Sequence, residues 1–84
     1  MELLYFTATW CAPCKIFGPI MEEVGKNLSV VKLDIEEHVK EVSKYGIMSV
    51  PTVVLVNSID GDEISRIVGA RTKDMVLEWV GEYS

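Results

Sequence analysis

The chain has two cysteines, two residues apart, in Trp10-Cys11-Ala12-Pro13-Cys14-Lys15. Thiols at i and i+3 on the first turn of a helix can close a disulfide and reopen it with little backbone movement. The thiolate is the reactive form, and a helix N-terminus favours it, because unpaired N–H groups and the macrodipole attract negative charge. The neighbouring residues supply that setting. Leu3-Leu4-Tyr5-Phe6 reads as a buried strand, Thr7-Ala8-Thr9 as a connection, and the residues from Ala12 or Pro13 onward as an amphipathic helix. A pair that leaves a strand and opens a helix in a small α/β chain reads first as a redox dithiol. At the helix start Cys11 is expected to be the exposed nucleophile. Cys14, one turn further in, is expected to be the shielded resolving thiol.

The competing chemistry is a metal site. Zinc takes four ligands, at least three of them from protein. Beyond the pair the sequence offers His38, in a charged helix start. A site within one chain would lack ligands, so no metal is expected; the remaining metal reading is a cluster bridging two subunits through the pair. Trp10 beside the thiols offers a flat contact surface for a partner peptide.

Composition narrows the class further. With 84 residues, 49% of them hydrophobic, there is enough for one globular domain over residues 1–84 and too much apolar content for disorder. A net charge of −5 disfavours nucleic-acid binding, which uses a basic face. No apolar run approaches the ~20 residues of a membrane span. Met1-Glu2-Leu3-Leu4 lacks the basic flank of a secretory signal. Close cysteines without such a signal point to a reducing compartment, hence the cytoplasm, and to a cycling disulfide.

Around the pair the pattern alternates strand and helix. Phe17, Ile20, Met21, Val24 and Leu28 recur at helical spacing, with Glu22, Glu23 and Lys26 toward water and a kink expected at Pro19. Val30–Ile35 reads as a second strand, with Val31, Leu33 and Ile35 on one face, and a right-handed crossover makes it a parallel neighbour of the first. Residues 37–45 read as a short helix with Val39 and Val42 inward, stopped by Gly46; Glu36, Glu37 and Glu41 read as its solvated face. Thr52–Val56 is a third strand, and Asp60-Gly61 a hairpin signal before a fourth from Glu63 to Val68. Thr72 caps a last helix with Met75, Val76, Trp79, Val80 and Tyr83 on its core face. The order is βαβαββα, which predicts an α/β fold.

Several separated segments together resemble the thioredoxin family. The hexad Trp10–Lys15 is similar to its active-site motif, with Ala12 where glycine is usual, and Pro19 matches its helix proline. Lys32 falls where the family has a lysine behind the active site. Lys44-Tyr45-Gly46-Ile47 with Val50-Pro51-Thr52 resembles the segment leading to its cis-proline, and Asp60-Gly61 and Val68-Gly69-Ala70 its late turn and groove glycine. The chain most resembles the short archaeal and phage-type members, the minimal core shared with glutaredoxins.

The resemblance implies a thioredoxin-like fold, a central four-stranded mixed sheet flanked by three helices. It implies a monomer that reduces disulfides in other proteins with no bound cofactor and is recharged by a thioredoxin reductase. It implies a cis Val50–Pro51 bond and a substrate groove of Trp10, Ala12, Pro13, Val50, Pro51 and Gly69. Lys32 is the candidate for tuning the thiol pKa. A glutaredoxin-like protein recharged by glutathione and a thioredoxin-fold accessory subunit are the alternatives. Two positions depart from the family: Tyr5 stands where many members bury an aspartate, and Thr7 where an aromatic residue is common. A phenol, unlike a carboxylate, keeps its proton at neutral pH.

Overall fold

The computed structural model describes all 84 residues. The elements run β1 (Glu2–Thr7), α1 (Ala12–Val24), β2 (Val30–Asp34), α2 (Val39–Tyr45), β3 (Thr52–Val56), β4 (Glu63–Val68) and α3 (Lys73–Gly81). The four strands form one mixed sheet in the order β2-β1-β3-β4. β1 and β2 are parallel, whereas β3 runs antiparallel to both β1 and β4. The element order is the one the sequence pattern predicts, and the mixed four-stranded sheet the one the family resemblance implies.

Helices cover both faces, which explains why every residue of Thr52–Val56 is buried. On one face Leu3, Tyr5, Val53 and Leu55 pack with Phe17, Met21 and Val24 of α1 and Val76 and Val80 of α3. On the other, Leu4, Phe6, Leu33, Val54 and Val56 pack beneath Val42 and Tyr45 of α2. Val31 and Ile35 join Leu33 there, as their alternation requires.

The ends of the elements differ from the expected pattern. α1 closes at Val24, so Leu28 packs from the following turn rather than from the helix. Val39, the first residue of α2, is 65% exposed, while Val42, one turn later, packs. Met75, in the first turn of α3, and Tyr83, beyond its C-terminus, are likewise exposed, leaving Val76 and Val80 as the buried residues of the helix. Asp60-Gly61 belongs to a longer turn than a two-residue hairpin. Gly61 N–H donates to the Asn57 carbonyl at 2.7 Å and Asn57 N–H to that of Asp62 at 2.9 Å, with Gly61 at φ 73°. Gly46 caps α2 in the left-handed conformation, as expected.

Candidate active site

The site forms where β1 hands over to α1. Cys11 is the N-cap residue of α1, with extended φ/ψ, and Pro13 sits in the first turn, where a missing N–H leaves nothing unpaired. The Cys14 N–H donates to Cys11 Sγ at 3.3 Å. An N–H aimed at sulfur from a helix start stabilises the thiolate form of that sulfur. The two sulfurs are bonded, and the Cα atoms lie 5.2 Å apart, inside the range a disulfide requires. Both cysteines pack with Ala8 against Ile35 and Val50.

One expectation is corrected here. Cys11 is 5% exposed and Cys14 4%, so exposure does not separate nucleophile from resolver in the disulfide form. Their surroundings do. Cys11 Sγ lies 3.6 Å from the Val50 carbonyl oxygen. The Val50–Pro51 peptide is cis, and the Val50 N–H and C=O carry no backbone hydrogen bond. Cys14 instead lines a cleft on the other side, shared with Tyr5, Thr7, Lys32 and Asp34.

Of the expected groove residues, Trp10 and Val50 come together in an apolar pocket of about 110 Å³, completed by Ile35, Val42, Ile47 and Met48. Trp10 is 66% exposed and Met48 almost wholly so. Ala12 and Pro13 are exposed on the first turn of α1 but do not line that pocket. Pro51 is buried, and its carbonyl accepts the Gly69 N–H at 2.8 Å. Gly69 does not line that pocket either; it adopts φ 91°, a conformation that favours glycine, so backbone geometry accounts for the residue type.

Glu36 is the residue sequence reasoning missed. Glu36 and Glu37 are exposed, as expected, but they lie in the turn before α2 rather than on a face of that helix. The Trp10 indole N–H donates to Glu36 Oε1 at 3.1 Å. A hint was present in Asp34-Ile35-Glu36, since Asp34 Oδ1 accepts the Glu36 N–H at 2.8 Å and fixes the turn.

Beneath the disulfide, Tyr5 is buried edge-on against Phe17, ring centroids 5.6 Å apart. A carbonyl only accepts, so the Tyr5 hydroxyl donates to the Cys14 carbonyl at 3.3 Å. It therefore accepts from the Thr7 hydroxyl at 3.2 Å. Lys32, opposite Tyr5 in the β1–β2 register, is exposed on the cleft wall and forms no ion pair. His38 Nδ1 lies 3.2 Å from the Asp34 carbonyl and takes no part in the cysteine site.

A dithiol at a helix N-cap, facing unpaired backbone before a cis-proline, on a four-stranded sheet covered by three helices, defines a thiol–disulfide exchange protein. A family model described as Thioredoxin matches residues 1–82. Thioredoxin of Listeria monocytogenes is 35% identical over 99% of this chain and 82% of its own length. Thioredoxin of Rickettsia bellii is 40% identical over 93% of this chain and 76% of its own. Among solved structures, a mutant thioredoxin of Halobacterium salinarum superposes with a TM-score of 0.87 at 32% identity, covering 98% of this chain and 73% of that one. The chain belongs to the thioredoxin family and is a thiol–disulfide oxidoreductase. No helix is long and apolar enough to cross a membrane.

Proposed function

We propose that the chain is a monomeric, cytoplasmic reductant of protein disulfides, with Cys11 as nucleophile and Cys14 as resolver. The observation that carries the assignment is the Cys14 N–H donated to Cys11 Sγ at the helix N-cap, with Val50 backbone 3.6 Å away. Cys11 is thus the sulfur whose anion is favoured and the one beside backbone free to pair with an extended substrate segment. Its thiolate attacks a substrate disulfide and forms a mixed disulfide. Cys14, held one turn away, then displaces the substrate thiol rapidly because it is already in place. Trp10 and the apolar pocket beside Val50 provide the contact surface for the substrate chain.

Recharging requires an external two-electron donor, and a flavin-dependent thioredoxin reductase is the donor that fits the family. The test is insulin-disulfide reduction with that reductase and with glutathione as alternative donors. Turnover with the reductase and little with glutathione is expected; the reverse would make the chain functionally a glutaredoxin. With protein targets, Cys14→Ser should accumulate mixed disulfides and Cys11→Ser should not. Trapping by Cys11→Ser instead would reverse the two roles.

A further inference from the structure

The resolving step poses a problem that the residues around Cys14 do not solve directly. Cys14 is buried, so its proton needs a route out. Tyr5, the side chain beneath it, is committed: its hydroxyl proton goes to the Cys14 carbonyl and its oxygen accepts from Thr7. A phenol in this arrangement has nothing to offer as a base.

A route exists at the side. A cleft of about 290 Å³ reaches Cys14 from the open edge of the sheet along β2. Thr7 lines it beside Cys14. The charged or titratable groups facing the cleft are Tyr5 from β1, Lys15 and Glu22 from α1, and Lys32 and Asp34 from β2. Two of these are carboxylates. Glu22 lies eight positions along α1 from Cys14, about 12 Å by helical rise, and also borders the next cleft toward Gly25. Asp34 is paired with Thr7 in the parallel register, roughly 4.8 Å across the sheet and on the same face. Its Oδ1 is held by the Glu36 N–H, which orients the carboxylate, while Oδ2 takes no hydrogen bond from the protein.

We infer that Asp34 accepts the Cys14 proton through water in this cleft, as a positioning group in the resolving step. The inference rests on Cys14 being the resolving thiol. In the mixed disulfide the Cys14 thiol proton passes by way of water to the Asp34 carboxylate. The Cys14 sulfur pair then forms the Cys11–Cys14 bond. The bond between Cys11 and the substrate sulfur breaks, its electron pair leaves on that sulfur, and solvent protonates it. Asp34 returns its proton to bulk water. Two electrons move from the cysteines to the substrate disulfide, and the protons balance.

The experiment uses the reduced protein and dithiobis(nitrobenzoate) in a stopped flow. Attack by the first cysteine releases one thionitrobenzoate anion; resolution releases the second, so the two steps are separate phases. Asp34→Asn keeps an Oδ1 acceptor for the Glu36 N–H and removes only the charge. The first phase should be unchanged and the second slowed roughly tenfold near neutral pH, less than a directly touching base would give. The deficit should close in alkaline buffer, where hydroxide takes the proton. Asp34→Glu should restore the rate, and Glu22→Gln should match wild type. Cys14→Ser should release its single anion at the rate of the wild-type first phase, and Cys11→Ser far more slowly. If they do, and Asp34→Asn follows the wild-type second phase across pH, the role of Asp34 is overturned. An equal slowing by Glu22→Gln would also overturn it, since net charge alone would then suffice. A fast first phase kept by Cys11→Ser and lost by Cys14→Ser would overturn the resolver assignment, and the inference with it.

Discussion

Trp10 and Glu36, 26 positions apart, meet through an indole N–H donated to the Glu36 carboxylate at 3.1 Å, on the rim of the site. The bond fixes the orientation of a ring that is otherwise largely in solvent. It also ties the loop before Cys11 to the turn between β2 and α2.

Glu36→Ala should therefore free the indole without unfolding the chain, as an exposed hydrogen bond contributes about 1 kcal/mol or less. The expected result is a lower fluorescence anisotropy of Trp10 and a KM for protein disulfides raised about threefold, with reactivity toward a small aryl disulfide unchanged. Measuring in a Trp79→Phe background isolates the Trp10 signal. Equal losses toward both substrates would mean that the contact serves the cysteines rather than the substrate surface.

Tyr5 makes the second prediction. Removing its hydroxyl in Tyr5→Phe leaves the buried Thr7 hydroxyl and the Cys14 carbonyl without this partner, while the ring keeps its packing on Phe17. Stability to urea should fall by about 1–2 kcal/mol, the usual cost of buried groups losing a hydrogen bond. The rate of thiol exchange should change by less than about twofold, because the phenol moves no proton. A tenfold loss of rate with unchanged stability would assign Tyr5 a chemical role.

Much of this site was legible because it is local. The redox pair, the strand that precedes it and the helix it opens lie within a few residues of one another. The order βαβαββα follows from periodicity, and both-face burial explains the unbroken apolar run at Val53–Val56. What periodicity could not show is where a helix begins and ends: Val39 and Met75 have the spacing of core residues but sit in the first turns of their helices, and Tyr83 falls beyond the end of α3. Glu36 was hidden for a different reason. Its partner is far along the chain, and only the turn fixed by Asp34 brings the two together. The cis Val50–Pro51 bond was legible through family resemblance, not through any local pattern.

Glu63 and Arg66 form a pair whose effect depends on pH. The guanidinium donates from Nε to Oε2 and from Nη2 to Oε1, each at 2.7 Å, and Nη2 also reaches the Tyr45 carbonyl. The Arg66 hydrogen bond holds the Glu63 carboxyl below the usual range, against a smaller opposing effect of partial burial. Arg66 is correspondingly raised, first by the same hydrogen bond. A carboxyl lowered in the folded state stabilises the fold above its ordinary titration range. That contribution is lost as pH falls through the lowered value. Glu63→Gln should lower Tm at pH 7, by an amount equivalent to about 1 kcal/mol or less for a partly exposed surface pair. The gap from wild type should close in strong acid, where both side chains are neutral. A gap that persisted in acid would trace to packing and not to charge.

Lys32 makes the last prediction. Its side chain is exposed on the wall of the cleft that reaches Cys14, and no carboxylate holds it in an ion pair. A cation there attracts a developing thiolate through water, so its influence is Coulombic and open to screening. At 0.1 M salt the screening length is about 10 Å, and at 1 M about 3 Å. Lys32→Ala should raise the apparent pKa of the Cys14 thiol modestly at low salt and slow the second thionitrobenzoate release by less than about threefold. Both effects should vanish near 1 M salt. Lys32→Glu should act in the same direction and more strongly, since it replaces attraction with repulsion. Asp34→Asn should behave differently, with a deficit that survives high salt because it removes a proton acceptor and not merely a field. If Lys32→Ala leaves the pH profile of resolution unmoved at low salt, the lysine takes no part in thiol chemistry and serves only to keep the open β2 edge charged. If its effect persists at high salt, the lysine acts through a direct contact in the mixed disulfide.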